Sequence, residues 1–304
     1  MTKGDDSSLD PEQRRLVEER ARNLLNRAGA WDRFPTPVDD LLAAAKLKVA
    51  SSSAFDPAAI MTYISGKAAG AVSRLKSALS KVLGIYHADE NTIHIDTSVV
   101  IAKQTFLKLH ETGHHELPVH RKLFGLFQDC QKTLDPMIAD LFEREANNFA
   151  RFALFQDNRF GAMAADLPLG IKTPMRLASK FGASIYAASR EYARTSHHAC
   201  VVYVLQRPEF VPAIGFRAEV RRIEPSPSYR QVFGVDTSTA ITPTHRLWNA
   251  VPVGRKVTKP TGIQITDLNG EKHEAVVEAF DTSHNVIILV HSTTALRVAQ
   301  HAYL

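Results

Sequence analysis

Cysteine is scarce in this chain of 304 residues, and that scarcity limits the kinds of site it can form. Two cysteines, Cys130 and Cys200, cannot make a disulfide framework or a zinc site built from paired thiolates. Any metal site would have to draw on the 13 histidines and 32 acidic residues.

Long apolar runs and blocks of like charge are also missing. The first residues, MTKGDDSSLD, hold no apolar stretch like that of a signal peptide, and no later run approaches the length of a membrane span. We therefore expect a cytoplasmic protein with no membrane partner. The net charge is +5 at pH 7, but lysine and arginine are spread along the chain, so direct nucleic-acid binding is not favoured.

The order of sequence patterns predicts an α+β protein with more than one domain. Residues 1–10 read as a disordered N-terminus, and 11–172 as a mainly helical domain with a small β-hairpin or sheet. Residues 173–198 have the spacing of a helix-turn-helix, with Gly182 at the turn and Ser184 as N-cap. From 199 to 304, β-branched runs separated by Pro, Gly, Asn and Asp predict a mostly β domain.

The sequence predicts where several helices and a hairpin of the first 172 residues begin and end. Asp10-Pro11 and Thr36-Pro37 each read as an N-cap followed by proline at the first helical position. A third helix is predicted at about 70–83, and GIYHADENTIHID predicts a hairpin over 84–96. The next helix should begin near 97 or 98 and end by Leu117, because Pro118 disfavours helical conformation at the residue before it. Another helix is predicted from about 135 to 155.

The stretch LKLHETGHHELPVH, residues 107–120, contains four histidines and two glutamates. His110 and His114 are four residues apart, so a helix places both rings on one face, where they can bind the same ion. Glu111 lies about 100° round the helix and can reach a water without binding the metal. This spacing is typical of zinc hydrolases in which the glutamate is the general base. The same residues could instead form the polar end of a helix with no metal, although burying two histidines there without a partner is costly.

His120 is one alternative for the third ligand. It stands ten residues after His110, which is the metzincin spacing. Leu117 occupies the position where that pattern has a turn glycine, and Leu followed by Pro118 cannot easily make the same turn. His115, Glu116 and His120 are therefore interpreted as bystanders at a helix end.

The later stretch EREANNFARFA offers two glutamates as alternatives. Glu143 borders a face of small residues that would let its helix approach the histidine helix closely, as a short carboxylate ligand requires. Glu145 falls on the larger apolar stripe and could instead be a supporting or structural carboxylate. Periodicity alone does not decide between the two. Asn147, one turn after Glu143, is expected to hydrogen-bond a ligand and fix its orientation.

Together, FLKLHETGHHELPVHR and EREANNFARFAL resemble the ImmA/IrrE family of metallo-endopeptidases. That family joins a His-Glu-x-x-His helix to the pattern Glu-x-x-Ala-Asn-x-Phe-Ala, and the resemblance extends over roughly residues 10 to 200. The second pattern matches Glu143, Ala146, Asn147, Phe149 and Ala150. The resemblance implies a zincin-like fold and one Zn²⁺ held by His110, His114 and Glu143, with Glu111 as the catalytic base.

The same resemblance implies a function. Members of the family cleave helix-turn-helix repressors, so the expected partner is a protein substrate of that kind, and the expected outcome is derepressed transcription in a stress response. IrrE-like members carry a GAF-like sensor domain at the C-terminus, which the β-rich region after Ala199 could represent. The alternative is a DNA-binding transcriptional regulator with a structural or vestigial metal, in which Arg190 and Arg194 of the helix-turn-helix-like segment meet the groove.

Overall fold

The structure is a computed structural model, and it describes residues 8–50, 84–87, 91–95, 98–122, 136–212, 215–252 and 256–293. Residues 1–7 of the predicted disordered start and the predicted helix at 70–83 lie outside these ranges. The fold is α+β. Contacts divide the chain into a first unit, Met1–Arg159 with Phe181–Ala183, and a second unit, Phe160–Lys180 with Ser184–Leu304.

The first unit begins with two helices, α1 (Pro11–Arg27) and α2 (Val38–Ala44). The predicted start of α1 is confirmed, because the Asp10 carboxylate accepts the Gln13 backbone N–H at 2.9 Å and Pro11 follows it. The prediction that Thr36 caps α2 is wrong. Pro37 occupies that position without a side-chain cap, and the Thr36 hydroxyl donates to the Leu154 carbonyl at 2.7 Å.

A small three-stranded sheet follows, made of β1 (Lys48–Val49), β2 (Gly84–His87) and β3 (Thr92–Ile95) in the order β1-β3-β2. The strands β2 and β3 are antiparallel, as the predicted hairpin requires, and β1 pairs parallel to β3. Ile93 and Ile95 on β3 are buried. The short parallel strand β1 was not predicted.

Two helices complete the first unit and carry the histidine and glutamate patterns: α3 (Ile101–Glu116) and α4 (Pro136–Leu154). The helix α3 ends where Pro118 predicts, since Leu117 has an extended ψ of 113°. Residues 118–122 then turn back into helical conformation. The helix α3 packs against α4, β2 and β3, and α1 packs on α4.

The second unit contains α5 (Arg159–Ala165), α6 (Lys172–Phe181) and α7 (Ile185–Thr195) ahead of its sheet. The predicted turn between α6 and α7 is confirmed: Gly182 has a positive φ of 71°, and the Ser184 hydroxyl accepts the Ala187 N–H at 3.1 Å. None of the helices in the described part of the chain is both long enough and apolar enough to cross a lipid bilayer.

The sheet of the second unit is antiparallel throughout. Its strands are β4 (Cys200–Leu205), β5 (Glu209–Val211), β6 (Gly215–Pro225), β7 (Ala240–Ile241), β8 (Thr261–Thr266), β9 (Lys272–Asp281) and β10 (Val286–Ser292). The order is β5-β6-β4-β10-β9-β8, and β7 pairs with β6. The β-branched runs ACVVYVLQ, GFRAEVRRI, EAVVEAF and NVIILVHS, on which the prediction of a mostly β domain depends, correspond to β4, β6, β9 and β10. The strand β8 and the helix α8 (Pro227–Phe233) were not predicted.

Candidate metal centre

One turn of α3 brings two histidine rings together. The Nε2 atoms of His110 and His114 lie 3.3 Å apart, and the ring planes are nearly perpendicular, at 83°. Both rings are buried. The helical spacing of four residues therefore produces the paired imidazole nitrogens that the sequence predicts.

The carboxylate of Glu143 on α4 completes a cluster with these two rings. Its Oε2 lies 3.3 Å from His110 Nε2 and its Oε1 lies 3.6 Å from His114 Nε2. The three candidate ligand atoms fall within 4.8 Å of one another. The Glu143 side chain is 60% exposed, so the cluster is closed by buried imidazoles on one side and open to solvent on the carboxylate side.

The separations match what one small ion would need. Bonds of about 2.0–2.1 Å at tetrahedral angles place two ligand atoms about 3.3–3.4 Å apart. Two imidazole nitrogens and one carboxylate also form the ligand set of a catalytic zinc site, which leaves a fourth position open. On distance and on donor chemistry, His110, His114 and Glu143 fit a zinc ion.

The electrostatics of the cluster keep Glu143 ionised and favour positive charge on His110 but not on His114. Burial alone would lower the pKa of His110, but the hydrogen bond to Glu143 and the charges of Glu111 and Glu143 outweigh it and raise that pKa to about 9. Desolvation would raise the pKa of Glu143, yet its hydrogen bonds to His110 and His114 hold that pKa well below the usual range. Burial lowers the pKa of His114 to about 4, helped by the neighbouring His110 charge.

Asn147 fixes the orientation of the first histidine. Its amide oxygen lies 3.1 Å from His110 Nδ1. An amide oxygen only accepts hydrogen bonds, so His110 donates from Nδ1–H. When the ring loses its second proton, as it must to bind a metal, the lone pair is on Nε2. This is the role that the sequence predicts for Asn147.

His120 supports the second histidine, so its interpretation as a bystander is wrong. Its side chain is fully buried, with Nδ1 3.0 Å from His114 Nδ1 and Nε2 2.6 Å from the Glu145 carboxylate. The ring also stacks on Phe142 with 3.9 Å between centroids. Because His120 faces the far side of the His114 ring, it does not join the donor cluster, and the metzincin alternative loses its third ligand.

A signal for this arrangement was present in the sequence. Pro118 was interpreted only as the end of α3, but proline is also favoured at the first position of a new helical turn. Here it does both, because Leu117 is extended and residues 118–122 are helical. His120 lies within this new helical turn and is buried.

Two further residues of the stretch have partners outside the cluster. Glu116 pairs with Arg27 of α1, with 2.5 Å between Oε1 and the guanidinium. His115 is buried, and its pKa is lowered mainly by that burial, with a hydrogen bond to the Ala45 backbone opposing the shift. These contacts tie α3 to the helices around it.

Glu111 lies on α3 next to His110 and is buried. Its charge contributes to the raised pKa of His110, which places the carboxylate within electrostatic reach of the donor cluster. Glu145 lies on α4 beside His120 instead of among the donor atoms. The pattern of the helix leaves both glutamates as candidate ligands, and the geometry distinguishes them. Glu143 faces the Nε2 atoms of His110 and His114, whereas Glu145 faces His120.

The helix-turn-helix-like segment uses its arginines within the second unit. Arg190 and Arg194 of α7 both bind the Glu224 carboxylate on β6, at 3.1 and 2.8 Å. Burial would raise the pKa of Glu224, but the two guanidinium groups hold it below its usual value. The arginines that would meet a DNA groove therefore serve to attach α7 to the sheet.

Comparison with known proteins gives a likeness in fold. No family model and no curated protein sequence matches the chain. Among solved structures, a Mycobacterium tuberculosis transcriptional regulator is similar, with a TM-score of 0.53 and 12% sequence identity over 92% of this chain and 80% of that one. At this identity the likeness concerns the α+β fold alone.

Proposed function

We propose that this chain is a zinc-dependent endopeptidase of the ImmA/IrrE type, whose zincin-like domain cleaves a regulatory protein. The observation that carries the proposal is the convergence of His110, His114 and Glu143 at 3.3 to 3.6 Å, with the buried Glu111 beside them. Paired histidines with an adjacent glutamate on one helix match the requirements of peptide hydrolysis.

In this proposal His110, His114 and Glu143 hold the ion. When bound, zinc would supply a Lewis acid that polarises the substrate carbonyl and makes a water acidic enough to react near neutral pH. Asn147 and His120 hold the two imidazole rings so that each presents its Nε2 to the cluster. Binding would then require little rearrangement of these buried side chains.

Glu111 carries the proton in the proposed reaction. Its carboxylate takes a proton from the attacking water as the oxygen bonds to the peptide carbonyl carbon. The same carboxyl group then delivers that proton to the amide nitrogen as the C–N bond breaks, which leaves a carboxylic acid and an amine. At neutral pH the acid gives its proton to the amine or to solvent, so the products are a carboxylate and an ammonium group. Glu111 is buried next to His110, so its carboxylate is placed to act on a water held at the cluster.

The exposed edge of the cluster is where a substrate chain would enter. Glu143 is 60% exposed while both imidazole rings are buried, so an extended peptide could approach from the carboxylate side. The family resemblance suggests a helix-turn-helix repressor as the substrate. Cleavage would then derepress transcription of the genes that the repressor controls.

The alternative is a DNA-binding transcriptional regulator. The solved structure that is similar in fold bears that description, but the engagement of Arg190 and Arg194 with Glu224 argues against a groove-reading role for α7. Salt-dependent binding of duplex DNA by the full chain would favour this alternative. The second unit could also have a sensory role of the GAF type, for which the antiparallel sheet is the supporting observation.

The direct test is metal analysis followed by a cleavage assay. The full chain should purify with, or take up, about one zinc per molecule. The loaded protein should cut a purified helix-turn-helix repressor, for which the first candidate is any such repressor that a neighbouring gene is found to encode. Chelation should stop the reaction, and added zinc should restore it. Failure to bind zinc at micromolar concentration would refute the proposal, whereas binding with no cleavage of the repressor would refute that substrate.

A further inference from the structure

Three side chains form a continuous row on the far side of the donor cluster. The His114 Nδ1 lies 3.0 Å from His120 Nδ1, and the opposite nitrogen of His120, Nε2, lies 2.6 Å from the Glu145 carboxylate. The row begins at a candidate ligand and ends at a carboxylate on α4, at the edge of the buried region. His120, in the middle, is completely buried.

The direction of each hydrogen bond follows from the acceptor at the end of the row. A carboxylate accepts, so the His120 Nε2–H donates to Glu145. A neutral imidazole has only one N–H, so His120 Nδ1 then carries a lone pair and must accept from His114 Nδ1–H. His114 is left with a lone pair on Nε2, which is the atom that faces His110 and Glu143.

The His120 ring is held so that it cannot easily leave this arrangement. It stacks on Phe142 with an angle of 22° between the ring planes. It also sits on the helical turn that restarts after the extended Leu117. A ring flip would break both hydrogen bonds in a buried place, where an unsatisfied polar atom is costly.

We infer that His120 and Glu145 form a positioning pair that sets His114 as its Nδ1–H tautomer and keeps the His114 Nε2 lone pair directed at the metal site. This inference rests on the proposed zinc site. Neither residue touches the ion or the substrate. They act through His114, as Asn147 acts through His110.

The two candidate ligands are therefore supported in different ways. His110 is held by a neutral amide oxygen, whereas His114 is linked through an imidazole to a carboxylate. A carboxylate at the end of such a row makes the ligand nitrogen a stronger electron donor than an amide does. His114 is thus expected to depend more on its support than His110 does.

The first test compares zinc affinity, by competition with a chromophoric chelator, among variants of the full chain. His120→Phe keeps the ring and the stacking on Phe142 but removes both hydrogen bonds, so zinc affinity should fall by about 10- to 100-fold. His120→Asn should lose less, because its amide oxygen lies near the position of Nδ1 and can still accept. Glu145→Gln should fall between the wild type and His120→Phe, since its amide oxygen still accepts from Nε2–H but lacks the charge of the carboxylate. His115→Asn, a buried neighbour on α3, is the control and should leave zinc affinity unchanged.

The second test records the tautomer itself. Long-range ¹H–¹⁵N spectra of histidine-labelled protein, with and without zinc, should show the His114 proton on Nδ1 in the wild type and in Glu145→Gln. In His120→Phe the proton should move to Nε2 in metal-free protein, or divide between the two nitrogens. The double variant His120→Phe/Glu145→Leu replaces both partners with apolar groups, so it separates loss of the row from loss of folding.

The outcomes separate the inference from the proposed function. If the wild type binds no zinc but His120→Phe changes the His114 tautomer, the positioning pair stands and the zinc proposal fails. If the wild type binds zinc and His120→Phe lowers affinity without changing the tautomer, the inference is overturned in favour of a packing role. Equal zinc affinity in the wild type and in the folded double variant would also overturn it.

Discussion

Gly113 on α3 lies so close to α4 that a Cβ added to it would be 3.2 Å from the Ala146 Cα and 3.1 Å from the Phe149 Cβ. Both distances are tighter than ordinary van der Waals contact, so glycine is what allows the two helices to approach here. Gly113 directly precedes His114, and Ala146 lies between Glu143 and Asn147. The distance between the helices at this level therefore decides whether Glu143 reaches the histidines.

Substituting Gly113 with alanine should push α3 and α4 apart. In an exposed helix interior this change would stabilise by about 1 kcal/mol, but overpacking in a buried contact costs about 1–3 kcal/mol. We expect a net loss in the free energy of unfolding, measured by urea denaturation, together with weaker zinc binding. An increase in stability would contradict the close packing, since it would show that the added methyl group is accommodated without strain.

Glu143→Ala is expected to abolish tight zinc binding, because it removes one of three ligand atoms from the cluster. The loss should exceed the roughly 10- to 100-fold that follows from removing a group hydrogen-bonded to a ligand. Zinc affinity from chelator competition gives the measurement. Glu145→Gln, on the same helix about half a turn away, should lose much less zinc affinity than Glu143→Ala, because Glu145 faces His120 and not the donor atoms.

The opposite order of zinc affinities would show that the third ligand is assigned to the wrong glutamate. If Glu145→Gln lost zinc while Glu143→Ala kept it, the third ligand would be Glu145, and α4 would have to rotate from the arrangement described. Unchanged thermal unfolding of both metal-free variants should accompany the measurement, so that a difference in affinity reports on the site.

The elements that could be predicted from the sequence are those with strong local signals. The α1 start follows from Asp10 and Pro11, and the α7 cap from Ser184, because each needs only side chain to backbone hydrogen bonds within one turn. The same local signal gives a wrong prediction at Thr36, which does not cap α2. Its hydroxyl has a cap-like position in sequence, but the tertiary contact with the Leu154 carbonyl takes the hydrogen bond instead.

The candidate site was predictable in part for the same reason. His110 and His114 depend on helical spacing alone. The role of His120 depends on how the chain turns at Leu117, and on a long-range contact with Glu145, neither of which periodicity reports. The preference for Glu143 came from the family resemblance and not from the pattern of the helix, which left both glutamates open.

Glu111→Gln tests the proposed base. The amide is nearly isosteric with the carboxylate and cannot take up a proton, so the variant should bind zinc like the wild type while cleavage of the repressor falls by about 10²- to 10⁴-fold. Initial cleavage rates at matched zinc occupancy are the measurement. Cleavage at the normal rate would remove Glu111 from the mechanism, and loss of zinc would assign it a role in binding the metal.

Arg194→Ala distinguishes a structural α7 from a DNA-reading one. Its guanidinium is mostly buried and 2.8 Å from Glu224, so its removal should lower the free energy of unfolding by about 1–3 kcal/mol, the range for a hydrogen bond to a charged group. Duplex DNA binding, measured by fluorescence anisotropy at several salt concentrations, should not change. A fall in DNA affinity with unfolding unaffected would instead support the regulator alternative.

The stability that Glu224 supplies should depend on pH in a definite direction. Burial would raise the pKa of this carboxyl group, but Arg194 and Arg190 bring it below its ordinary value. A carboxylate with a lowered folded-state pKa stabilises the fold above its unfolded pKa, about 4.3 for glutamate, and loses that contribution as the pH falls through the folded value. Glu224→Gln cannot ionise, so the difference in unfolding free energy between it and the wild type should be constant near pH 7 and shrink below about pH 4. Denaturant titrations from pH 3 to 7 measure this difference, and one that grew on acidification would show that the arginines do not stabilise the ionised form.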